Sequence, residues 1–294
     1  MILAITTGST ILYSIIVFLL VIIALVSILL VAKAKLAPQG EVKLKINDKE
    51  LNVSPGSSLL STLTGNGIFL PSACGGGGTC GMCKCQVVDG GGSILPTETG
   101  FFTRKEQQNS WRLGCQVKIR ENITVKVPES VMGIRKWECE VVSNRNVATF
   151  IKEFVVRLPE GESLDFTPGG YIQIDVTRYE TSFSDFIIED QFKGDWDLYK
   201  MWDLKLKTNE ETYRAYSRAN YPEEKGLIKL NIRIATPPWD NEKKQFMNVL
   251  PGLCSSYIFS RKPGDKVMIS GPYGEFNIKE TQNEMVYIGG GAGM

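Results

Sequence analysis

The pattern of apolar and polar positions changes character along the chain. No charged side chain occurs from Met1 to Ala32, and Ile11–Ala32 is a nearly unbroken apolar run of 22 residues. As a helix this run extends about 33 Å, enough for a bilayer hydrocarbon core of about 30 Å. From Glu41 onward apolar and polar residues alternate over short stretches. Glu41–Ile46 and Glu50–Val53 predict a strand pair turning at Asn47-Asp48. Ser57–Leu63 and Phe102–Ser110 predict short helices, and Ile123–Val127 a closing strand. From Glu138 the pattern predicts successive strands at Glu138–Ser143, Thr149–Arg157, Tyr171–Val176, Thr212–Tyr216, Leu227–Ile234 and Lys266–Ser270. Turn signals such as Pro168-Gly169-Gly170 and Pro263-Gly264 separate them, as in an antiparallel barrel. The last apolar stretch, Glu284–Ile288, predicts a strand that runs into Gly289, Gly290, Gly291 and Gly293.

Two segments break these patterns. Arg178–Thr212 interrupts the barrel with nine acidic, five basic and seven aromatic residues. Trp196, Tyr199 and Trp202 recur there at helical spacing, predicting a short amphipathic helix packed on the barrel; an acidic, aromatic docking surface is the sharper reading. Pro128–Trp137 reads as a linker of about ten residues that lets the flanking domains reorient.

Lys33 and Lys35 follow the apolar run and no Lys or Arg precedes it. The positive-inside rule then predicts a single-pass anchor with the long C-terminal part in the cytoplasm. A cleaved signal peptide is the rival, but it wants a basic start and an apolar stretch of about 7–15 residues. With 33 Lys+Arg against 32 Asp+Glu the net charge is +1, which offers no argument for nucleic acid as a partner. The chain of 294 residues contains no histidine. That removes Ser-His-Asp and Cys-His catalysis, His-ligated zinc and haem, and Rieske clusters.

Chemistry therefore rests on the seven cysteines and on bound groups. Cys74, Cys80 and Cys83 lie in SACGGGGTCGMCKC, and Cys115 follows Cys83 after 31 intervening residues, in RLGCQV. Four thiolates at C-x5-C-x2-C…C suit a [2Fe-2S] cluster, and the glycines allow a tight wrap with N–H groups turned to the sulfurs. A zinc ribbon carries two C-x2-C knuckles, whereas here the fourth cysteine stands alone. Cys85, Cys139 and Cys254 read as bystander thiols. Further along, Arg214-Ala215-Tyr216-Ser217 ends a strand, and Gly252, Ser255 and Ser256 lie where a loop starts a helix. Alternation places Arg214 and Tyr216 on one strand face, where a guanidinium can grip a pyrophosphate and a phenol ring can pack on a flavin. The glycine allows close backbone approach, and a helix N-terminus receives phosphate.

These residues carry family resemblances. The cysteine segment resembles a ferredoxin, with the x5 spacing of adrenodoxin-like ferredoxins and of ferredoxin domains fused to membrane reductases. Pro168–Tyr171, RAYS, PGLCSS and GPYGEF together resemble the ferredoxin–NADP reductase superfamily. That resemblance implies FAD, with Arg214 on the pyrophosphate, Tyr216 stacked on the isoalloxazine, Ser217 approaching flavin N5, and Gly252, Ser255 and Ser256 completing the phosphate site. The order of segments, with RAYSRANYPEE, GPYGEF and MVYIGGGAGM, resembles the family of F subunits of bacterial sodium-translocating NADH:quinone reductases. It implies an α+β, multi-domain chain: anchor 1–34, β-grasp ferredoxin domain 35–130, FAD barrel 131–283 with the insertion 178–212, and the start of an NADH domain at 284–294. It implies NADH as substrate, electrons passed from FAD through the cluster, other membrane subunits and lipid as partners, and the inner membrane as location. It also implies a chain cut short inside the nucleotide-binding loop. The open alternatives are the reductase component of a membrane-associated oxygenase and a tethered electron carrier without its own NADH site.

Overall fold

The structure is a computed structural model that describes residues 2–36, 40–274 and 276–289. Helix α1 (Ile2–Leu36) stands apart, and residues Thr10–Ala32 form a span long and apolar enough to cross a membrane, none of it buried in the protein. A helix apolar all round with nothing packed against it is one whose solvent is lipid.

Next comes a five-stranded mixed sheet in the order β2-β1-β5-β3-β4. Its strands are β1 (Val42–Ile46), β2 (Lys49–Val53), β3 (Lys84–Asp89), β4 (Trp111–Leu113) and β5 (Ile123–Lys126). β1 and β5, far apart in sequence, pair in parallel at its centre. Helix α2 (Leu59–Gly65) buries Leu59, Leu60 and Leu63 against this sheet and is capped by Ser58, whose hydroxyl accepts the Ser61 N–H. The short helices α3 (Pro96–Thr99) and α4 (Arg104–Gln108) follow, α4 with a capping box between Thr103 and Glu106. The predicted helix over Phe102–Ser110 is thus trimmed at both ends: Phe102 is drawn into the core, and Ser110 takes a positive φ of 58° that ends the turn.

The predicted linker is folded. Residues Glu129–Met132 form helix α5, Val131 and Ile134 are buried in the ferredoxin core, and Trp137 is buried in the barrel. Apolar side chains at these positions gain more from burial than a free linker gains from chain entropy.

The second sheet has six antiparallel strands in the order β11-β8-β15-β6-β7-β12. They are β6 (Arg135–Ala148), β7 (Ile151–Arg157), β8 (Tyr171–Val176), β11 (Thr212–Ser217), β12 (Leu227–Arg233) and β15 (Lys266–Tyr273). The sheet curls so that its end strands approach: the Ala219 N–H, just past β11, donates to the Lys229 carbonyl on β12 at 2.8 Å. Helix α7 (Leu253–Ser260) plugs the core with Ile258 and Phe259.

The insertion forms a small hairpin, β9 (Tyr179–Ser182) with β10 (Lys205–Thr208), around helix α6 (Lys193–Leu198). The predicted helix through Trp202 is interrupted, because Lys200 adopts a left-handed conformation with φ 52° and restarts the chain as a 3-10 turn. Trp196 is fully buried, with Nε1 donating to the Thr149 carbonyl at 2.8 Å. A hairpin of β13 (Trp239–Asp240) and β14 (Gln245–Phe246) lies beside it, Trp239 meeting Tyr199 edge-on.

The strand predicted at Glu284–Ile288 does not form. These residues are exposed and pair with no strand among the described residues, and Val286 and Ile288 are 86% and 94% exposed. A lone strand cannot satisfy its own backbone, so the apolar pattern alone does not make one. Gly289 is exposed; Gly290, Gly291 and Gly293 lie outside the described residues.

Candidate functional site

The cysteine loop hangs between α2 and β3. The Leu60 N–H donates to the Gly114 carbonyl at 2.9 Å, and the Gly114 N–H donates to the Cys83 carbonyl at 2.8 Å. These two bonds carry Cys115 from a distant part of the chain to the loop. Gly81 is required here: its φ is 68°, and a Cβ would lie 2.3 Å from the Phe101 ring.

The four predicted ligands converge two by two. Cys74 lies within interaction range of Cys80, and Cys83 of Cys115. Among the described residues no three candidate ligands close on a single ion. Two thiol pairs side by side are the donor set of a binuclear cluster, one pair per iron, whereas structural zinc gathers four ligands on one ion. Each pair holds one thiol poised to ionise. Burial pushes Cys74 up, but the Thr79 and Cys80 N–H groups outweigh it and bring it below an ordinary thiol. Cys115 is lowered by its interaction with Cys83, against burial, with help from Gln116, whose Nε2 is 3.6 Å from the sulfur. Cys83 is correspondingly raised by Cys115 and by burial. Cys85 points the other way, into the core, with its Sγ 3.8 Å from the Arg112 carbonyl, and burial pushes it up to about 12. It is no ligand.

The flavin residues meet on the barrel. β11 pairs with β8 so that Arg214 faces Ile174 and Tyr216 faces Ile172, putting both side chains on one strand face. Tyr216 packs half-buried against the barrel core, and burial raises its phenol strongly. Ser217 ends the strand and is exposed. Gly252 caps α7, and a Cβ there would lie 2.7 Å from the Ala235 Cβ and 2.9 Å from the Ser255 Oγ. Ser255 is not an open phosphate ligand: its Oγ accepts the Ala235 N–H at 3.1 Å and donates to the Gly252 carbonyl at 3.2 Å. Ser256 is fully buried, and its Oγ has no hydrogen-bond partner among the described residues. Cys254, at the start of α7, interacts electrostatically with Arg214 and Tyr216, so the strand face and the helix N-terminus form one neighbourhood. Arg214 has no carboxylate partner among the described residues; its Nη1 donates to the Thr212 Oγ1 at 2.9 Å and to the Tyr213 carbonyl at 2.7 Å. An acid-free guanidinium beside a helix N-terminus and an orphaned hydroxyl fits a dinucleotide's phosphates.

Sequence reasoning missed that the two sites touch. A Cβ on Gly75, next to Cys74, would lie 2.7 Å from the Arg214 Nη1 and 3.1 Å from the Tyr213 carbonyl. Tyr213 comes close to Ser72. Lys136 on β6 pairs with Asp175 on β8 and lies 6.0 Å from the Phe69 ring across the same seam. Tyr273 of the barrel is buried in the ferredoxin core and stacks on Tyr171 at 5.3 Å. A cavity of about 870 Å³ opens beside this seam between Met82, Trp111, Phe166 and Tyr273 and includes none of the predicted flavin residues. The only available signal was that β11 carries chemistry-bearing residues on both faces.

Family models match both domains. Residues 43–120 match the 2Fe-2S iron-sulfur cluster binding domain family, and residues 198–278 the oxidoreductase FAD-binding domain family. Among solved structures, the chain is similar to an Amycolatopsis cytochrome P450 reductase, GcoB (20% identity, TM-score 0.48, 81% of this chain and 59% of that one). It is also similar to the ferredoxin reductase in carbazole 1,9a-dioxygenase (25% identity, TM-score 0.47, 86% of this chain and 67% of that one). Among curated relatives, it is 52% identical to the F subunit of the Na(+)-translocating NADH-quinone reductase of Pseudomonas paraeruginosa over 94% of this chain and 67% of that one. It is 54% identical to that of Methylococcus capsulatus over the same shares. The chain thus spans about two thirds of the length of these relatives. With about half of the residues identical over 94% of the chain, and both domain families matched, the chain belongs to the family of F subunits of Na(+)-translocating NADH-quinone reductases.

Proposed function

We propose that this chain is the electron-input subunit of a sodium-pumping NADH:quinone oxidoreductase in the bacterial inner membrane. It takes electrons from NADH through FAD and a [2Fe-2S] cluster and passes them to membrane partner subunits. The observation that carries this reading is the close approach of the paired-thiol loop to the strand bearing Arg214 and Tyr216, with Gly75 as the point of contact. When bound, FAD supplies exchange between two-electron and one-electron chemistry, and the cluster supplies one-electron carriage.

The chain's own residues bind, orient and shield. Cys74 with Cys80, and Cys83 with Cys115, would hold one iron each. The N–H groups of Thr79, Cys80 and Gly78, aimed at sulfur, favour the charged thiolates. Arg214 and the first turn of α7 would hold the pyrophosphate. Ser255 braces that turn against Ala235, and the Ser256 hydroxyl offers one further donor. Tyr216 would form one wall of the isoalloxazine site, and Ser217 would present its hydroxyl near N5. Gly289, with Gly290, Gly291 and Gly293, would open the loop that receives NADH in the nucleotide-binding domain. The anchor α1 holds the assembly at the membrane, and Lys33 and Lys35 favour its cytoplasmic side for the redox domains. One such helix offers no ion path, so sodium movement and quinone reduction fall to the partners. The oxygenase-reductase reading is the weaker one, since half of the residues are identical to those of a sodium-translocating reductase's F subunit along 94% of the chain.

The test is an anaerobic reductive titration followed by visible absorption. The oxidised protein should show flavin and [2Fe-2S] bands together, and dithionite should bleach both. A preparation that holds iron but no flavin, or flavin but no cluster, would overturn the reading. NADH bleaching both bands places a working nicotinamide site within these 294 residues. Bleaching by dithionite alone assigns that site to a nucleotide-binding domain beyond them.

A further inference from the structure

Arg214 is held from two domains at once. Its Nη1 donates to the Thr212 Oγ1 at 2.9 Å and to the Tyr213 carbonyl at 2.7 Å. Both acceptors belong to its own strand, β11, and they turn one end of the guanidinium back onto it. The hydrogen bonds that Arg214 makes among the described residues end there, which leaves the edge formed by Nε and Nη2 for a bidentate anion. Against the same spot lies Gly75 of the cysteine loop. A Cβ on Gly75 would lie 2.7 Å from the Arg214 Nη1, 3.0 Å from the Thr212 Oγ1 and 3.1 Å from the Tyr213 carbonyl. The ferredoxin loop thus backs the donor and both acceptors, and a side chain at residue 75 would push the guanidinium out of this pose.

The next residue supplies the contrast. Gly75 and Gly76 both take positive φ, 67° and 90°, so backbone strain favours glycine at each. A Cβ on Gly76, however, would meet only the Leu60 Cδ2 at 3.5 Å and the Cys115 Cβ at 4.0 Å, ordinary contacts inside the ferredoxin domain. Close approach to Arg214 belongs to Gly75.

We propose that Gly75, a residue of the ferredoxin domain, is a positioning residue for the flavin: with Thr212 it holds Arg214 in the pose that presents its free edge to the FAD pyrophosphate, so that the phosphate site is complete only with the cysteine loop docked on β11. The proposal rests on the reading that FAD binds at Arg214. Gly75 acts through that side chain, and FAD binding and loop docking favour each other by the same factor.

The experiment uses the full chain with its cluster in place and its flavin removed, titrated with FAD and with riboflavin and followed by flavin fluorescence. Gly75→Ala should weaken FAD about tenfold, within the worth of one charged hydrogen bond, and leave riboflavin, which carries no phosphate, within about twofold. Gly76→Ala strains the same loop without reaching Arg214 and should bind both flavins as the parent does. In an Arg214→Leu background Gly75→Ala should add nothing, because the group it acts through is gone. Unchanged FAD affinity in Gly75→Ala overturns the proposal. So does an equal loss in Gly75→Ala and Gly76→Ala, which assigns the effect to loop strain, or a full further loss in the Arg214→Leu background. Should Gly75→Ala lose its cluster, Thr212→Val decides, since it removes the Oγ1 acceptor from the barrel side alone. Weaker FAD with unchanged riboflavin then supports the proposal, and unchanged FAD overturns it. A parent chain that binds no FAD refutes the cofactor reading instead.

Discussion

Arg112 lays its guanidinium across the carboxylate of Glu98, with Nη2 2.7 Å from Oε2 and Nε 3.1 and 3.0 Å from the two oxygens. Both side chains are buried, Glu98 completely. The remaining valences are used: Glu98 accepts the Leu95 and Leu113 N–H groups, and Arg112 Nη1 donates to the Gly91 and Gly92 carbonyls. The pair joins the loop after β3 to β4, three residues before Cys115.

Breaking one side of that pair should therefore be costly. Glu98→Gln leaves a buried guanidinium without its counter-charge, and we expect a loss of about 3 kcal/mol in ferredoxin-domain stability. Glu98→Met combined with Arg112→Met should recover much of it. Urea unfolding monitored by loss of the cluster absorbance measures both. A double variant as unstable as the single one would mean that the geometry, not the lone charge, sets the cost.

Cysteine replacement should sort the thiols cleanly. Cys74→Ser, Cys80→Ser, Cys83→Ser and Cys115→Ser should each abolish or severely perturb the [2Fe-2S] absorption and EPR signal. Cys85→Ala should retain them, because its sulfur faces the Arg112 carbonyl within the core. Loss of the cluster in Cys85→Ala, with the fold intact by circular dichroism, would contradict the ligand set.

The flavin cradle predicts graded losses of affinity. Arg214→Leu removes the acid-free guanidinium and should weaken FAD binding about tenfold to a hundredfold, the worth of one charged hydrogen bond. Gly252→Ala should weaken it as well, because its Cβ must displace Ala235 or the Ser255 hydroxyl. Titration of the apoprotein with FAD, followed by flavin fluorescence, reads both. Unchanged affinity in Arg214→Leu would remove the pyrophosphate from that side chain.

Lys152 predicts a pH dependence confined to the barrel. It is 1% exposed, donates to the Ile187 and Asn144 carbonyls at 2.7 and 3.4 Å, and lies over the Phe259 ring. Burial pulls it down to about 8 despite the nearby Glu189. In the unfolded chain the amine keeps its proton up to about pH 10.4. Between these values the unfolded state binds more protons, so Lys152 makes stability rise with pH, by at most about 1.4 kcal/mol per unit. Below pH 8 the burial penalty is present in full. Urea unfolding from pH 7.5 to 9.5, followed by Trp fluorescence, should show this rise in the parent and lose it in Lys152→Met. Equal slopes in the two proteins would rule the lysine out.

Much of the layout was legible because it depends on neighbours along the chain. Ile11–Ala32 announces a spanning helix by length and absence of charge. The strands from Tyr171 to Val176 and from Thr212 follow from a period of two, and the cysteine spacing identifies the cluster without any fold at all. Where the pattern misled, a distant partner decided. The Glu284–Ile288 run lacks a neighbouring strand among the described residues, and Trp196 was taken into the core while Lys200 broke the expected helix. Ser255 was claimed by Ala235, some twenty residues away.

What only the tertiary structure decided is how the two cofactor sites face one another. Cys115 reaches Cys83 through the Leu60–Gly114–Cys83 bonds, and Tyr213 reaches Ser72 across about 140 residues of chain. Local periodicity says which face of β11 a side chain takes, and nothing about what that face meets. That depends on sheet register and on the burial of Val131, Ile134 and Tyr273 at the seam, where contacts far apart in sequence offset the entropy of closing the chain between them. Spacing together with family resemblance thus pointed to the cofactors, and long-range packing determined that the two candidate sites lie in contact.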